Sequence, residues 1–465
     1  MKSSSDQLWS ITSCRLQIIL LLMFCYFISS LIVVNFALNL TCMVVERPSN
    51  ASKAMLNPKC QRSVNRTHHS YGGTLNWSRH DEDLLLSATS WGSLVAQLPS
   101  MLISRQFQSK NVLFVVICLH VIFNVLIPLC ATHIGLIAVF CLRVLIGVAH
   151  SFIDVAIFCL IDKWFPSSER STALAIFSIG GQVSGIVGGP ITAQICASSL
   201  GWQANYYLTS FLGAIFCICW FLFSAESPQQ CKRIKQGELE YLTENVHVEE
   251  KTKRPVPYIP LLTSLATWAQ FIIQVAAGLA QSTTQSYLPS FYKEVVLISV
   301  IMNGYFIAIP NVFSFIVRLS WSIGVDRLKR KSVISNTLSV KVSQGISSYC
   351  MSIFFIVLAF FIDCTDPYAA LIISSLIASC QALESAGYQT KSLTAMSMFW
   401  AQSARLSTPY IVGALRKNNL HGWRNVFLMV SIVNTIGGTA YLTMGSGEEQ
   451  EWAKISENED KFTKL

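Results

Sequence analysis

Residues 143–170 read RVLIGVAHSFIDVAIFCLIDKWFPSSER, and the fold turns on how that run is interpreted. Its first half is an apolar helix with polar groups set into it. Arg143, Gly147, His150 and Asp154 stand at i, i+4, i+7 and i+11, which is one face of an α-helix. Val144, Leu145, Ile146, Val148, Phe152, Ile153 and Val155 surround that face with hydrocarbon. A charged side chain in the middle of a bilayer helix costs at least about 2.5 kcal/mol on insertion scales. The three ionisable groups are therefore expected to face a water-filled cavity or one another, not lipid. Two readings stay open at this point. Arg143 and Asp154 form a structural pair that holds helices together, or the face lines a substrate or proton pathway.

Composition supports a membrane setting. Of 465 residues, 52% are apolar and only 13% charged, against about 25% charged in soluble domains. The chain is expected to be an all-α, polytopic membrane protein. Its net charge of +9 is assigned to cytoplasmic loops, where Lys and Arg accumulate. No basic arm with interleaved aromatics argues for a nucleic-acid partner. Of the 15 cysteines, Cys25, Cys118, Cys141, Cys217 and Cys219 lie in apolar runs as small hydrophobes. None has the paired spacing of a metal site. Cys42 and Cys60 could meet in a disulfide if their loop is extracytoplasmic. The spans hold no metal-ligand or nucleophile–base constellation, so neither a resident cofactor nor an enzyme activity is expected.

Residues 1–15 are a short cytoplasmic N-terminus. Residues 16–45 are uncharged and exceed the about 20 needed to cross a bilayer. They are also longer than the about 7–15 of a signal-peptide core, so a retained first helix is expected. Asn35 and Asn39, at i and i+4 in its outer half, are candidates to line a cavity. Residues 46–81 form a polar loop with sequons at Asn50, Asn65 and Asn76, which favours a glycosylated luminal or extracellular face. Further spans are expected near 83–104, 112–131, 134–160, 172–198 and 202–224. A charged linker occupies 225–257. Six more spans follow near 258–288, 296–323, 340–362, 368–388, 393–415 and 423–444, then a tail, 446–465. Arg105, Lys110, Lys163, Arg170, the linker and Arg327 to Lys331 fall on one side, which places both termini and the linker in the cytoplasm. Two six-helix halves, 16–224 and 258–445, joined by a cytoplasmic linker make the layout of a major facilitator.

Short motifs narrow this further. Arg143-Val-Leu-Ile-Gly147 and Lys163-Trp-Phe-Pro166-Ser-Ser-Glu169-Arg170 resemble the R-x-L-x-G and K-W-x-P-x-x-E-R signatures of the anion:cation symporters of the major facilitator superfamily. That family includes sodium–phosphate cotransporters, a sialic-acid carrier and vesicular glutamate transporters. Asn76-Trp77, Gln97-Leu-Pro99, Gly201-Trp202, Glu226-Ser-Pro228, Leu288-Pro289-Ser-Phe-Tyr292, Asp326-Arg327 and Gly422-Trp423-Arg-Asn-Val-Phe427 fall in the family's order. The chain also departs from the pattern. Val33 stands where members often carry Arg before the first-helix Asn35. His150 stands where the glutamate transporters carry an acid, and Ala277 where they carry Arg.

The resemblance implies a secondary carrier of a small organic or inorganic anion, such as phosphate, an acidic amino acid or sialic acid. It implies alternating access with a site near the midplane between the halves, driven by protons or sodium. A non-transporting receptor or scaffold on the same fold is the alternative. Arg143 is the expected anion partner, since a guanidinium offers a two-pronged fork that keeps its proton. His150 makes a proton-coupled step chemically possible, although a packing histidine is the equal alternative, and Asp154 could share the proton or neutralise Arg143. Gly181, Gly185 and Gly189 are expected to let helices approach closely. In the second half Gln270, Gln274, Gln281 and Gln285 form a polar stripe, either lining a cavity or bonding between helices. Gln381 and Glu384 share a face of the tenth span, where the acid is too costly to leave against lipid. Lys391 and Arg405 are expected near a membrane boundary, snorkelling. Glu169–Arg170 and Asp326–Arg327 are candidate cytoplasmic gate pairs. The protein is expected to be a monomer in the plasma membrane or a vesicular or lysosomal membrane.

Overall fold

The structure, a computed structural model, describes residues 13–45, 71, 73–245, 262–331, 333–384, 391–416 and 422–446. Their regular structure is helical. The first half comprises α1 (Cys14–Val34), α2 (Phe36–Met43), α3 (Arg79–Gln106), α4 (Ser109–His133), α5 (Leu136–Trp164), α6 (Ser167–Ala197) and α7 (Gln203–Phe223). A linker helix, α8 (Gln236–Asn245), follows. The second half comprises α9 (Leu265–Ser282), the short α10 (Leu288–Phe291), α11 (Val300–Arg330), α12 (Asn336–Phe361), α13 (Pro367–Ala382), α14 (Lys391–Arg416) and α15 (Gly422–Met444). With α1–α2 as one span and α9–α10 as another, each half has six.

Eight of these helices are long and apolar enough to cross a membrane by composition alone. The other four are informative. α13 has only 16 residues, and α3, α9 and α14 carry the polar groups that give several of the site residues below. α3 starts on a capping box in which Ser78 accepts from the Asp81 amide and Asp81 accepts from the Ser78 amide, which satisfies two otherwise orphaned donors. The first span is interrupted at Asn35, where α1 hands over to α2. α9 does not end in a clean turn: π-helical turns at Thr283–Tyr287 and Tyr292–Val296 flank Leu288–Phe291. The seventh span therefore runs from 265 to 296, shifted later than the 258–288 expected.

The chain divides into two compact units. In the first, α3 crosses α5 at a reciprocal glycine contact. A Cβ on Gly92 would sit 1.9 Å from the Val144 carbonyl oxygen, and one on Gly147 would sit 2.0 Å from that of Thr89. Neither backbone can yield cheaply, so Gly92→Ala or Gly147→Ala is expected to abolish a monodisperse, folded peak in detergent, whereas Ala88→Gly, on the same helix, leaves one. On α6 the closest approach to α1 falls at Gly180, whose Cβ would meet the Met23 carbonyl oxygen at 2.2 Å, and at Gly188, which packs on the Asn35 side chain. Gly181 faces the Tyr26 ring. Of the expected Gly181–Gly185–Gly189 stripe, a Cβ on Gly181 would lie 2.7 Å from the Tyr26 ring, and Gly185 and Gly189 are buried. α8 also belongs to this unit, so part of the expected linker is folded against the first half.

The second unit is centred on Phe291, Tyr292, Phe306, Phe355 and Phe427, all buried, with the Tyr292 hydroxyl donating to Ser374 Oγ at 2.7 Å. Tyr71, from the polar loop, joins this unit: it donates to the Ile298 carbonyl at 3.1 Å and accepts from Asn303 Nδ2 at 3.1 Å. Cys42 is a buried free thiol, which corrects the Cys42–Cys60 pairing, and Cys364 is disulfide-bonded.

Candidate functional site

In the first unit the polar face of α5 is buried at Arg143 and Gly147 and half-buried at His150 and Asp154. Arg143 is 2% exposed. Its guanidinium carbon lies 3.7 Å from the centroid of the Phe36 ring at the start of α2, a cation–π contact. Nη1 donates to the Ile32 carbonyl at 3.5 Å, and Nε is buried with no hydrogen bond. Among the described residues Arg143 has no carboxylate within ion-pair distance, so the Arg143–Asp154 pair does not form. Asp154 lies instead beside His150, Oδ2 to Nε2 at 3.9 Å, and the other ring nitrogen shares a 2.8 Å hydrogen bond with Ser29 Oγ of α1.

A second histidine completes this cluster. His120 of α4 is fully buried, its ring centroid 6.4 Å from that of His150. Neither of its ring nitrogens makes a hydrogen bond. Its signal in the sequence is the same as that of Arg143, an ionisable group inside an otherwise apolar run. Asn39 and Asn35 have different surroundings. Asn39 accepts from Asn205 Nδ2 of α7 at 2.9 Å, a buried bond between helices rather than a cavity wall. Asn35 is buried at the α1–α2 break, against Gly188.

In the second unit the glutamine stripe is broken by the π-turn, which inserts a residue into the helical register. Gln270 is buried, Gln274 and Gln281 half-buried, and Gln285 exposed. Gln281 Oε1 accepts from Arg405 of α14. Arg405 stands in mid-helix, not at a boundary, which corrects the snorkelling expectation. Thr284 Oγ1 accepts from Gln381 Nε2 of α13 at 3.4 Å. Glu384 lies beyond α13, which ends at Ala382, and its side chain is exposed. It is therefore not an interior residue of the tenth span, although the fields of Arg318 and Arg405 reach it.

The first candidate gate pair is not a pair. Glu169 bonds Arg15 at the start of α1, Oε2 to Nη1 at 2.7 Å, and accepts from the Tyr241 hydroxyl of α8 at 3.0 Å. Arg170 turns to Asp162 at 3.1 Å. Arg15 Nε also reaches Glu238 of α8 at 3.2 Å. Glu238 caps α1, accepting from Ser13 Oγ and from the Cys14 and Arg15 amides. Glu226 does the same for α4, accepting from the amides of Ser109 and Lys110, and pairs with Lys163. Arg327 is exposed, and the Asp326 side chain lies outside the described residues. So do the sequons Asn50 and Asn65, while Asn76 is exposed three residues before α3.

The Major Facilitator Superfamily model matches residues 19–409. The chain is 36% identical to an uncharacterized transporter of Caenorhabditis elegans, slc-17.3, over 96% of its length and 90% of that protein. It is 25% identical to human sialin, covering 95% of this chain and 91% of sialin. Among solved structures it resembles the D-xylose–proton symporter, with a TM-score of 0.68 at 11% identity, over 94% of this chain and 99% of that one. That last likeness concerns the fold alone.

Proposed function

The chain belongs to the major facilitator superfamily and, within it, to the anion:cation symporter family, and from that premise we propose that it carries a small organic anion by alternating access, driven by a proton gradient. The relatives named above are transporters, which leaves no ground for a non-transporting receptor or a membrane enzyme.

The observation that carries the reading is Arg143. A buried cation without a carboxylate partner is expensive, because desolvation goes uncompensated. Such a group is retained where an anion arrives to complete it, and the flat guanidinium held on Phe36 suits the two oxygens of a carboxylate. The name of human sialin makes sialic acid the first probe. Phosphate, glutamate and urate are the others. Proteoliposomes under an imposed proton or sodium gradient test the reading. Accumulation of sialic acid, glutamate or urate above equilibrium under the proton gradient is expected; accumulation of phosphate alone, or under the sodium gradient alone, or of none, overturns it.

For coupling, we assign the proton to His150 with Asp154, next to Ser29. A histidine is the side chain whose charge changes most readily near physiological pH. His150→Gln is expected to abolish gradient-driven accumulation while equal-concentration exchange of labelled for unlabelled substrate continues. Loss of both activities together would remove His150 from the coupling step and leave it a packing residue.

The disulfide at Cys364 supports an orientation with the linker in the cytoplasm. Disulfides persist in oxidising compartments, and Cys364 lies between α12 and α13. Eight crossings separate that turn from the sequon loop, so both lie on one side. We assign that side to the lumen or exterior of a plasma, vesicular or lysosomal membrane, with the carrier acting as a monomer.

A further inference from the structure

Resting on the anion-carrier reading and on His150 as the proton carrier, we propose that Ser29 of α1 is a positioning residue that passes the protonation state of His150 to the anion site at Arg143 by bending α1. The two helices meet in antiparallel register. Arg143 touches Phe36 and the Ile32 carbonyl, and His150, seven residues on along α5, touches Ser29, seven residues back from Phe36. Seven residues are two turns, about 10.5 Å of helix. One stretch of the first span therefore holds both the cation and the proton group. Its backbone ladder is interrupted at the far end: the Asn35 amide donates to the Leu31 carbonyl, the Asn39 amide to the Asn35 carbonyl, and Arg143 reaches the Ile32 carbonyl. α6 packs closely on this stretch at Met23 and at Asn35, through Gly180 and Gly188. Ser29 lies midway between those two contacts.

The hydroxyl can do this because it carries a single hydrogen. Ser29 is 0% exposed, and among the described residues its one side-chain hydrogen bond is that of 2.8 Å with Nδ1 of His150. With the ring neutral, Nδ1 accepts, the hydroxyl donates, and Ser29 is satisfied. With the ring protonated, Nδ1–H donates, and the hydroxyl hydrogen has to find another acceptor. A buried donor left unmade costs about 1–3 kcal/mol. The acceptor within reach is the carbonyl one turn back on the same helix, that of Cys25, and a serine that bonds its i−4 carbonyl bends the helix. The bend draws Ile32 away from Arg143 and leaves more of the guanidinium for an arriving anion, so proton and anion are taken up together. The other titratable groups around His150 are Asp154 on its own helix at 3.9 Å, His120 of α4 with ring centroids 6.4 Å apart, the buried Cys25 thiol of α1 and, two turns back on α5, Arg143.

The plain alternative is that charge on His150 acts on the anion through space, with Ser29 a packing residue. Reconstituted protein would be assayed for KM against pH, with whichever of sialic acid, glutamate and urate the wild type accumulates. Wild-type KM is expected to fall at least about fivefold between about pH 8 and about pH 6. Ser29→Ala is expected to flatten that dependence. Ser29→Thr and Ser29→Val add similar volume at this buried place, so their packing cost is shared. They differ by the hydroxyl, which in threonine also reaches the i−4 carbonyl. The threonine variant is expected to keep the pH dependence and the valine variant to lose it. A dependence lost in His150→Gln but kept in Ser29→Ala and Ser29→Val overturns the proposal and leaves the coupling reading standing. Loss in the threonine and valine variants alike overturns it too, because shape and not the hydroxyl would then decide. A wild type without pH dependence, or a dependence kept in His150→Gln, overturns the assignment of the proton and this proposal with it. Failure of the wild type to accumulate any of the three anions overturns the carrier reading itself.

Discussion

Arg143→Ala is expected to lower kcat/KM for the transported anion by about 100-fold or more, corresponding to about 2.7 kcal/mol. The same variant is expected to unfold at an unchanged or higher temperature. Both follow from the surroundings of one side chain. Arg143 is buried, stacked on Phe36, with a single 3.5 Å bond to a backbone carbonyl and no carboxylate opposite. Removing it strands no partner charge, so the fold loses little and gains relief from desolvation. A residue that costs stability and is kept for function shows this trade-off. Arg143→Lys is expected to recover little transport. An ammonium is a point charge without the flat fork, and it is more strongly hydrated than a guanidinium. Uptake kinetics in proteoliposomes and a thermal melt of the same preparations check both halves. Parallel loss of stability and transport would instead make Arg143 a structural group, and uptake at the wild-type rate would take it out of the pathway.

What could be read from the sequence was whatever a membrane makes expensive. Arg143, His150 and Asp154 stood out because charge in an apolar run is rare, and twelve spans in two sixes followed from run length and basic loops. Partners across helices were out of reach. Nothing local says that His150 meets Ser29, 121 residues earlier, or that Glu169 meets Arg15, 154 residues earlier. Backbone irregularity was equally hidden. Four glutamines at helical spacing describe one face only if the helix is regular, and the π-turn at Thr283–Tyr287 ends that regularity before Gln285. The tenth span illustrates a different limit. Its helix stops at Ala382 with no Gly or Pro at that point to announce the end, so Glu384 falls within the expected span but outside the helix. Arg405 shows the same dependence on helix ends: until α14 is known to span Lys391–Arg416, a mid-helix arginine and a boundary one look alike.

Arg15→Ala is expected to destabilise the first unit by about 3–5 kcal/mol, the usual penalty for removing one partner of a buried ion pair. At about 2 °C per kcal/mol for a large domain, the thermal midpoint should fall by roughly 6–10 °C. Arg15 is 1% exposed and bridges two acids with different nitrogens, Nη1 to Glu169 and Nε to Glu238. Its guanidinium carbon also lies 5.0 Å from the centre of the Tyr241 ring. Without it two carboxylates remain where water is scarce. Lysine should recover part of the loss, because one ammonium cannot serve two acids at those separate positions. The informative variant removes all the charge at once. Arg15→Met with Glu169→Gln and Glu238→Gln is expected to melt near wild type. The amide oxygen that Glu238→Gln leaves in place can still accept from the Ser13 hydroxyl and the Arg15 amide, at the loss of the bond from the Cys14 amide, and no ion is stranded. If the triple variant is as unstable as Arg15→Ala, the attraction between the ions, and not the cost of an orphaned acid, holds α8 against α1. Transport by a stable triple variant then tests the gate. A gate that must open and close by ion pairing would lose turnover without these charges. A fixed strap joining α1, α6 and α8, which is what the geometry favours, would keep it.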